Sequence, residues 1–156
     1  MIANKLIKIG LIGSVLSMGI NTIAYAKEKD STEDAIEYRQ AAFEVLVWNF
    51  APMGAMVKGK IPFDAKVFAE RAANVAFLSK MPLEGFIPGS DKGETDAKPA
   101  IWQNWDDFKA KMGKLQEETA KLAEVAKTAT KVEEVAKQFG ETGKVCKGCH
   151  EKYRED

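Results

Sequence analysis

The chain has 156 residues, enough for one domain, and its 23 basic and 23 acidic side chains cancel. With 46% hydrophobic and 29% charged residues, the composition is that of a globular protein. Such a balance excludes a protein built to grip nucleic acid or an anionic membrane through a basic face.

The first 26 residues form a separate object. Lys5 and Lys8 give a positive start, residues 9–23 are an apolar run with Gly and Ser, and Ala24-Tyr25-Ala26 is an A-x-A-like cleavage site. That is the pattern of a secretory signal peptide, too short and wrongly flanked for a membrane anchor. The mature domain is then expected to span 27–156, with a formal net charge of −2 once Lys5 and Lys8 are removed. Export places it in the bacterial periplasm, with no membrane contact after cleavage.

Ser31 and Thr32 are candidate N-caps, with Glu33 and Asp34 in the first turn. They open a helix carrying Ile36, Arg39, Gln40, Phe43, Leu46, Val47 and Phe50 and reaching about Lys58. Val45 and Trp48 lie off its main apolar stripe, which predicts two burial partners: the helix's own bundle and a second subunit. Pro52 falls inside the pattern and predicts a kink or an interruption. Gly59 and Pro62 mark a turn, and Asp64 caps a second helix to about Lys80, with Val67, Phe68, Val75 and Leu78 as its core stripe. Pro82 stops it.

Residues 83–98 contain Gly85, Pro88, Gly89 and Gly93 and read as a loop long enough to be functional. Pro99 starts a third helix, on which Ile101, Trp105, Phe108, Met112, Leu115, Thr119, Leu122 and Ala126 step by fours and threes as a bundle seam. Thr130-Lys131-Val132-Glu133 reads as a capping box opening a fourth helix. Its inner side carries Val132, Val135, Phe139, Cys146, His150 and Tyr153, and Gly140 and Gly143 weaken it by roughly 1 kcal/mol each. No strand pattern appears. The predicted fold class is all-α, an antiparallel up-down-up-down four-helix bundle, the order favoured by mostly short connections.

Near the C-terminus stands Cys146-Lys147-Gly148-Cys149-His150, the C-x-x-C-H run that attaches c-type haem. Two thiols add across the porphyrin's vinyl groups, and the adjacent imidazole becomes an axial iron ligand. On a helix all three side chains share one face. Two alternatives stay open here. A redox dithiol normally follows a strand, and none is found. A zinc clip wants about four N or S ligands, where the chain offers two cysteines and one histidine. The expected cofactor is one covalent haem c.

The bundle topology places His150 at the same end as Arg39, Gln40, Phe43, Leu78, Met81, Trp102 and Trp105. Phe86 could fold back as a lid, and Arg39 is available for a haem propionate. The chain has no second histidine. Met53 and Met56 lie about 15 Å beyond Phe43 along the same helix, and Met81 and Met112 suit core filling. The sixth iron position is therefore expected to be open.

Taken together, these pieces resemble the cytochrome c′ family, the bacterial class II c-type cytochromes, from about Asp34 to Arg154. The resemblance rests on Ala35-Ile36-Glu37-Tyr38-Arg39-Gln40, on Lys98-Pro99-Ala100-Ile101-Trp102, and on the run from Cys146 that ends in Tyr153-Arg154. It implies thioether attachment at Cys146 and Cys149, His150 as the proximal ligand and Arg154 as a basic residue beside the proximal face. Arg39, Gln40 and a loop residue, Thr95 or Asp96, would contact the haem. Phe86 corresponds to an aromatic near the haem, and Phe43 falls where the family covers the vacant iron face. Phenylalanine cannot ligate, so the resemblance implies a five-coordinate, apolar site suited to NO and CO.

Two functions compete: a gas-binding haem protein and a soluble electron carrier serving a redox partner protein, either of them a homodimer. A six-coordinate electron-transfer cytochrome and a bundle with a dithiol or metal clip are the alternatives. An enzyme is not expected, because the haem claims the one histidine and no distal acid-base residue can be named.

Overall fold

A computed structural model describes residues 31–155; the expected signal peptide, residues 1–26, lies outside them. The first helix, α1 (Ser31–Val57), has Glu33 and Asp34 in its first turn, where the helix dipole favours acidic groups. It does not stop at Pro52. Proline removes the hydrogen bond that would reach the Trp48 carbonyl one turn back. Arg71 of the next helix supplies a replacement, its Nη1 donating to that carbonyl at 3.2 Å. Gly59, at φ 65°, then turns the chain in the left-handed region after the helix end.

Helix α2 (Ala65–Leu78) begins as expected, with the Asp64 carboxylate accepting from the Val67 amide at 3.0 Å. Such a cap is worth about 1 kcal/mol. The expected loop after it is not featureless: Pro82–Gly85 forms a 3₁₀ turn packed on α1. A Cβ on Gly85 would lie 2.8 Å from both the Ala35 carbonyl oxygen and the Arg39 Cβ, so only glycine allows this approach.

The expected third helix is broken into α3 (Ala100–Gln103) and α4 (Trp105–Ala126). Asn104 sits between them at φ −128°, ψ 46°. Its side-chain amide and its backbone N–H both donate to the Ala100 carbonyl, each at 3.0 Å. A short polar side chain competing for backbone acceptors ends the first segment. The Asn104 carbonyl then accepts from the Phe108 amide at 3.0 Å and starts the second.

Helix α5 (Val132–Tyr153) has its cap one residue later than expected. The carboxylate of Glu134, not Glu133, accepts from the Thr130 and Lys131 amides at 2.6 and 3.1 Å. Those two amides hold Glu134 below its ordinary pKa.

Packing closes these helices into a ring in which α1 touches α2 and α5, and α4 touches α2 and α5. Neighbours run antiparallel: Tyr153 at the end of α5 reaches Asp107 at the start of α4, and Gln138 bonds Glu118 midway along it. With α3 and α4 counted as one broken rod, this is the expected four-helix bundle. Among the described residues there is no strand, only an isolated antiparallel bridge between Ala97 and Arg154. No helix among them is long and apolar enough to cross a membrane.

The core falls into two clusters. One is built on Met53, Phe68, Val75, Leu122 and Val135. The other is built on Phe86, Ile101, Phe108, Met112 and Tyr153, at the end of the bundle where α5 finishes. It is this second cluster that borders the candidate site.

Candidate functional site

Helical spacing puts Cys146, Cys149 and His150 on the last two turns of α5. Cys149 and His150 face a cavity of about 890 Å³. Its walls include Arg39, Gln40 and Phe43 of α1, Phe86 after the 3₁₀ turn, Thr95 and Asp96 of the loop, and Arg154. Cys146, one turn back, packs half-buried against the second core cluster. The candidate residues therefore converge on one end of the bundle.

Leu78 and Met81, expected as neighbours of His150, are absent from this wall. Leu78 packs against the other core cluster instead. The 3₁₀ turn packs on α1, and Phe86, directly after it, lines the wall where they were expected.

Phe86 is not a lid. It is 8% exposed, meets Phe43 edge-on at 6.5 Å, and lies 4.7 Å from Phe108 and 6.1 Å from Trp102 between ring centres. That is a core pillar supporting Phe43 from behind. Trp102, whose indole N–H donates to the Ile87 carbonyl at 3.0 Å, and Trp105 pack behind the wall rather than on it.

Arg39 is 2% exposed, so its guanidinium is not the free group expected for a propionate. Nη1 donates to the Gly85 carbonyl at 2.9 Å and to Ser90 Oγ at 2.7 Å. Nη2 donates to the Ser90 carbonyl at 2.7 Å and to Thr95 Oγ1 at 2.8 Å. Its Cζ lies 4.6 Å from the Phe86 ring centre and 5.6 Å from that of Trp102. Arg39 is thus the clamp that closes the loop onto α1.

Every one of those acceptors is a neutral oxygen. Among the described residues no carboxylate bonds this buried cation, a costly arrangement that an anionic group in the adjoining cavity would offset. Haem, with its propionates, fits this electrostatic deficit as well as the apolar walls. Gln40 donates to the Glu94 carbonyl at 2.9 Å, tying the same loop a second time.

Burial pushes both thiols above their ordinary pKa, with Cys149 adding to the effect at Cys146. A redox dithiol needs the opposite, a depressed thiol pKa. Among the described residues no group of three or more His, Cys, Asp or Glu could hold a metal ion, which leaves the metal-clip reading without ligands. Partial desolvation, and then the nearby Arg154 cation, lowers the pKa of His150. That shift favours the neutral imidazole, which has a lone pair free to ligate.

The end of α5 is tied down on two sides. The Arg154 amide donates to the His150 carbonyl at 3.0 Å, Lys98 N–H to the Tyr153 carbonyl at 3.0 Å, and Glu155 N–H to the Asp96 carbonyl at 2.8 Å. On the α4 side the Tyr153 hydroxyl donates to the Asp107 carboxylate, which also pairs with Lys152 at 2.9 Å. Sequence reasoning missed Ser90 and Asp107. Neither stands in a motif, and only the folded loop and the antiparallel α4–α5 pair reveal their partners.

The sequence profile described as cytochrome c′ matches residues 34–154. Cytochrome c′ of Rubrivivax gelatinosus is 49% identical over 123 residues, covering 78% of this chain and 95% of that protein. The structure of cytochrome c prime from Shewanella frigidimarina, 54% identical, covers 82% of this chain and 99% of its own with a TM-score of 0.78. A nitric oxide complex of a mutant cytochrome c prime from Alcaligenes xylosoxidans, 34% identical, covers 83% and 99% with a TM-score of 0.75. This chain belongs to the cytochrome c′ family, whose members carry one covalently attached haem c per chain.

Proposed function

We propose that this protein is an exported, periplasmic haem protein that binds NO and CO at an open iron position and is not an enzyme. The observation that carries the reading is Phe43, an apolar side chain that cannot ligate, on the same cavity wall as His150. When bound, haem c supplies an iron that takes up a diatomic gas and exchanges one electron. Cys146 and Cys149 would hold it by thioethers, and His150 would provide a nitrogen ligand to its iron. Arg39 offers positive charge, Gln40, Thr95 and Asp96 border the cofactor on the loop side, and Arg154 lies beside His150.

Methionine ligation finds no support. Met53 and Met56 belong to the other core cluster, and Met112 is 2% exposed within the second. Met81 stands outside the cavity wall. With Phe43 and Phe86 supplying no hydrogen-bond donor, the distal side does little for bound O₂, whereas NO and CO need such help less. A nitric oxide complex of a mutant of the Alcaligenes relative supports NO as a ligand.

Electron transfer to a redox partner protein can share this site, because His150 and Arg154 line the cavity and are solvent-exposed. A homodimer is the expected assembly. Trp48 is 76% exposed and Val45 48%, apolar positions on α1 that a second copy would cover.

The test is titration of the reduced, haem-loaded protein with CO, NO and O₂. CO and NO should shift the visible spectrum with far tighter binding than O₂. A spectrum that no gas shifts overturns the proposal.

A further inference from the structure

We infer that the contact between Tyr153 and Asp107 sets the orientation of His150, which makes both of them positioning residues for the axial ligand. The inference rests on the reading of His150 as that ligand. Tyr153 follows His150 by three residues, one turn further along the same helix face. Its ring is 2% exposed, lines the cavity and meets Phe108 edge-on at 5.3 Å.

Two successive residues of this turn, Lys152 and Tyr153, converge on the one Asp107 carboxylate of α4. From the other side, Lys98 N–H donates to the Tyr153 carbonyl at 3.0 Å. This matters because of where the turn lies. The last four carbonyls of a helix have no partner within the helix, and helix ends fray. Helix α5 ends at Tyr153, so His150 sits in its final turn.

An imidazole there would swing with the fraying turn unless something outside the helix held it. A side-chain tie to α4 and a backbone tie to the loop act from different directions and fix the rotation of the turn about the helix axis. Hydrogen bonds to a carboxylate are the stronger, more directional kind. Phe108 packing alone would restrain the Tyr153 ring without fixing that rotation.

Tyr153→Phe keeps the ring and its packing and removes only the hydroxyl, while Asp107→Asn removes the carboxylate's charge from the other partner. Each is matured with haem. The iron–histidine stretching band of the reduced protein is recorded by resonance Raman, and hydrogen exchange is followed at the Arg154 amide, which donates to the His150 carbonyl. The band should shift in both variants, and the amide should exchange roughly tenfold faster through local opening. Asp107→Glu, which retains the carboxylate, should restore the band toward its original position. Haem-loaded variants whose band and exchange match the wild type overturn the inference. A wild-type protein that takes up haem without any iron–histidine band would instead overturn the reading of His150.

Discussion

Arg39→Met is the substitution that most directly probes how the loop is held over the site. Of the four acceptors Arg39 serves, two keep a hydrogen bond without it. Ser90 Oγ still donates to the Ile87 carbonyl at 2.8 Å, and Thr95 Oγ1 still accepts from the Ala97 amide at 3.1 Å. The Gly85 and Ser90 carbonyls lose theirs, at about 1–3 kcal/mol for each group left without a partner. Loss of the guanidinium from the Phe86 and Trp102 faces removes roughly 0.5–2 kcal/mol more. Against this, a buried charge is no longer desolvated and the methionine stem fills much of the space.

The net expectation is a destabilisation of about 2–4 kcal/mol, a large share of the ~5–15 kcal/mol that folds a typical domain. Urea unfolding of the haem-loaded protein, followed by far-UV circular dichroism, should show a lower midpoint with an unchanged slope. Arg39→Lys should lose most of the same stability, because an ammonium cannot reproduce the planar fork that reaches Gly85, Ser90 and Thr95 together. A loss under about 0.5 kcal/mol, the range of ordinary surface changes, would refute the clamp.

Phe43→Ala should speed CO association by about tenfold or more, equivalent to ~1.4 kcal/mol of steric barrier, and an unchanged rate in stopped flow would show that Phe43 does not hinder gas entry. Glu118 is held by Lys121, Gln138 and Lys114, which lower its pKa from 4.5 to about 2. A carboxyl depressed in the folded state contributes stability above 4.5 that is lost as pH falls toward 2. Urea midpoints should therefore decline over that acid range, and Glu118→Gln should flatten part of the decline; an unaltered acid limb contradicts this. Gly85→Ala would set a Cβ 2.8 Å from the Ala35 carbonyl oxygen, a backbone atom with little room to yield. It should cost about 1–3 kcal/mol and disturb the near-UV signal of the Phe86–Trp102 cluster.

What could be read from sequence follows from how local the underlying physics is. Covalent haem attachment needs two thiols and an imidazole at fixed spacing, so Cys146, Cys149 and His150 announce themselves. The core stripes were legible for the same reason: Val67, Phe68 and Val75, or Phe108, Met112 and Leu115, recur at helical period whatever they pack against. Arg39 shows the opposite case. Its partners lie 46 to 56 residues away in a loop whose path no pattern specifies.

Pro52 belongs with it, because the donor that keeps α1 going past it is Arg71 on another helix. Asn104 failed for a subtler reason. The competing hydrogen bond that splits α3 from α4 is local, yet an exposed asparagine on a regular helix reads the same way in sequence. Phe86 looked like a lid because it stands in a polar loop. Its burial depends on Gly85 letting the 3₁₀ turn lie flat on α1.

Whether the iron site beside Phe43 is open can be read from the visible spectrum of the haem-loaded protein after dithionite reduction, with no gas added. The predicted result is a high-spin, five-coordinate spectrum. A low-spin, six-coordinate spectrum would contradict it and send the search for a sixth ligand to Met81 and Met112.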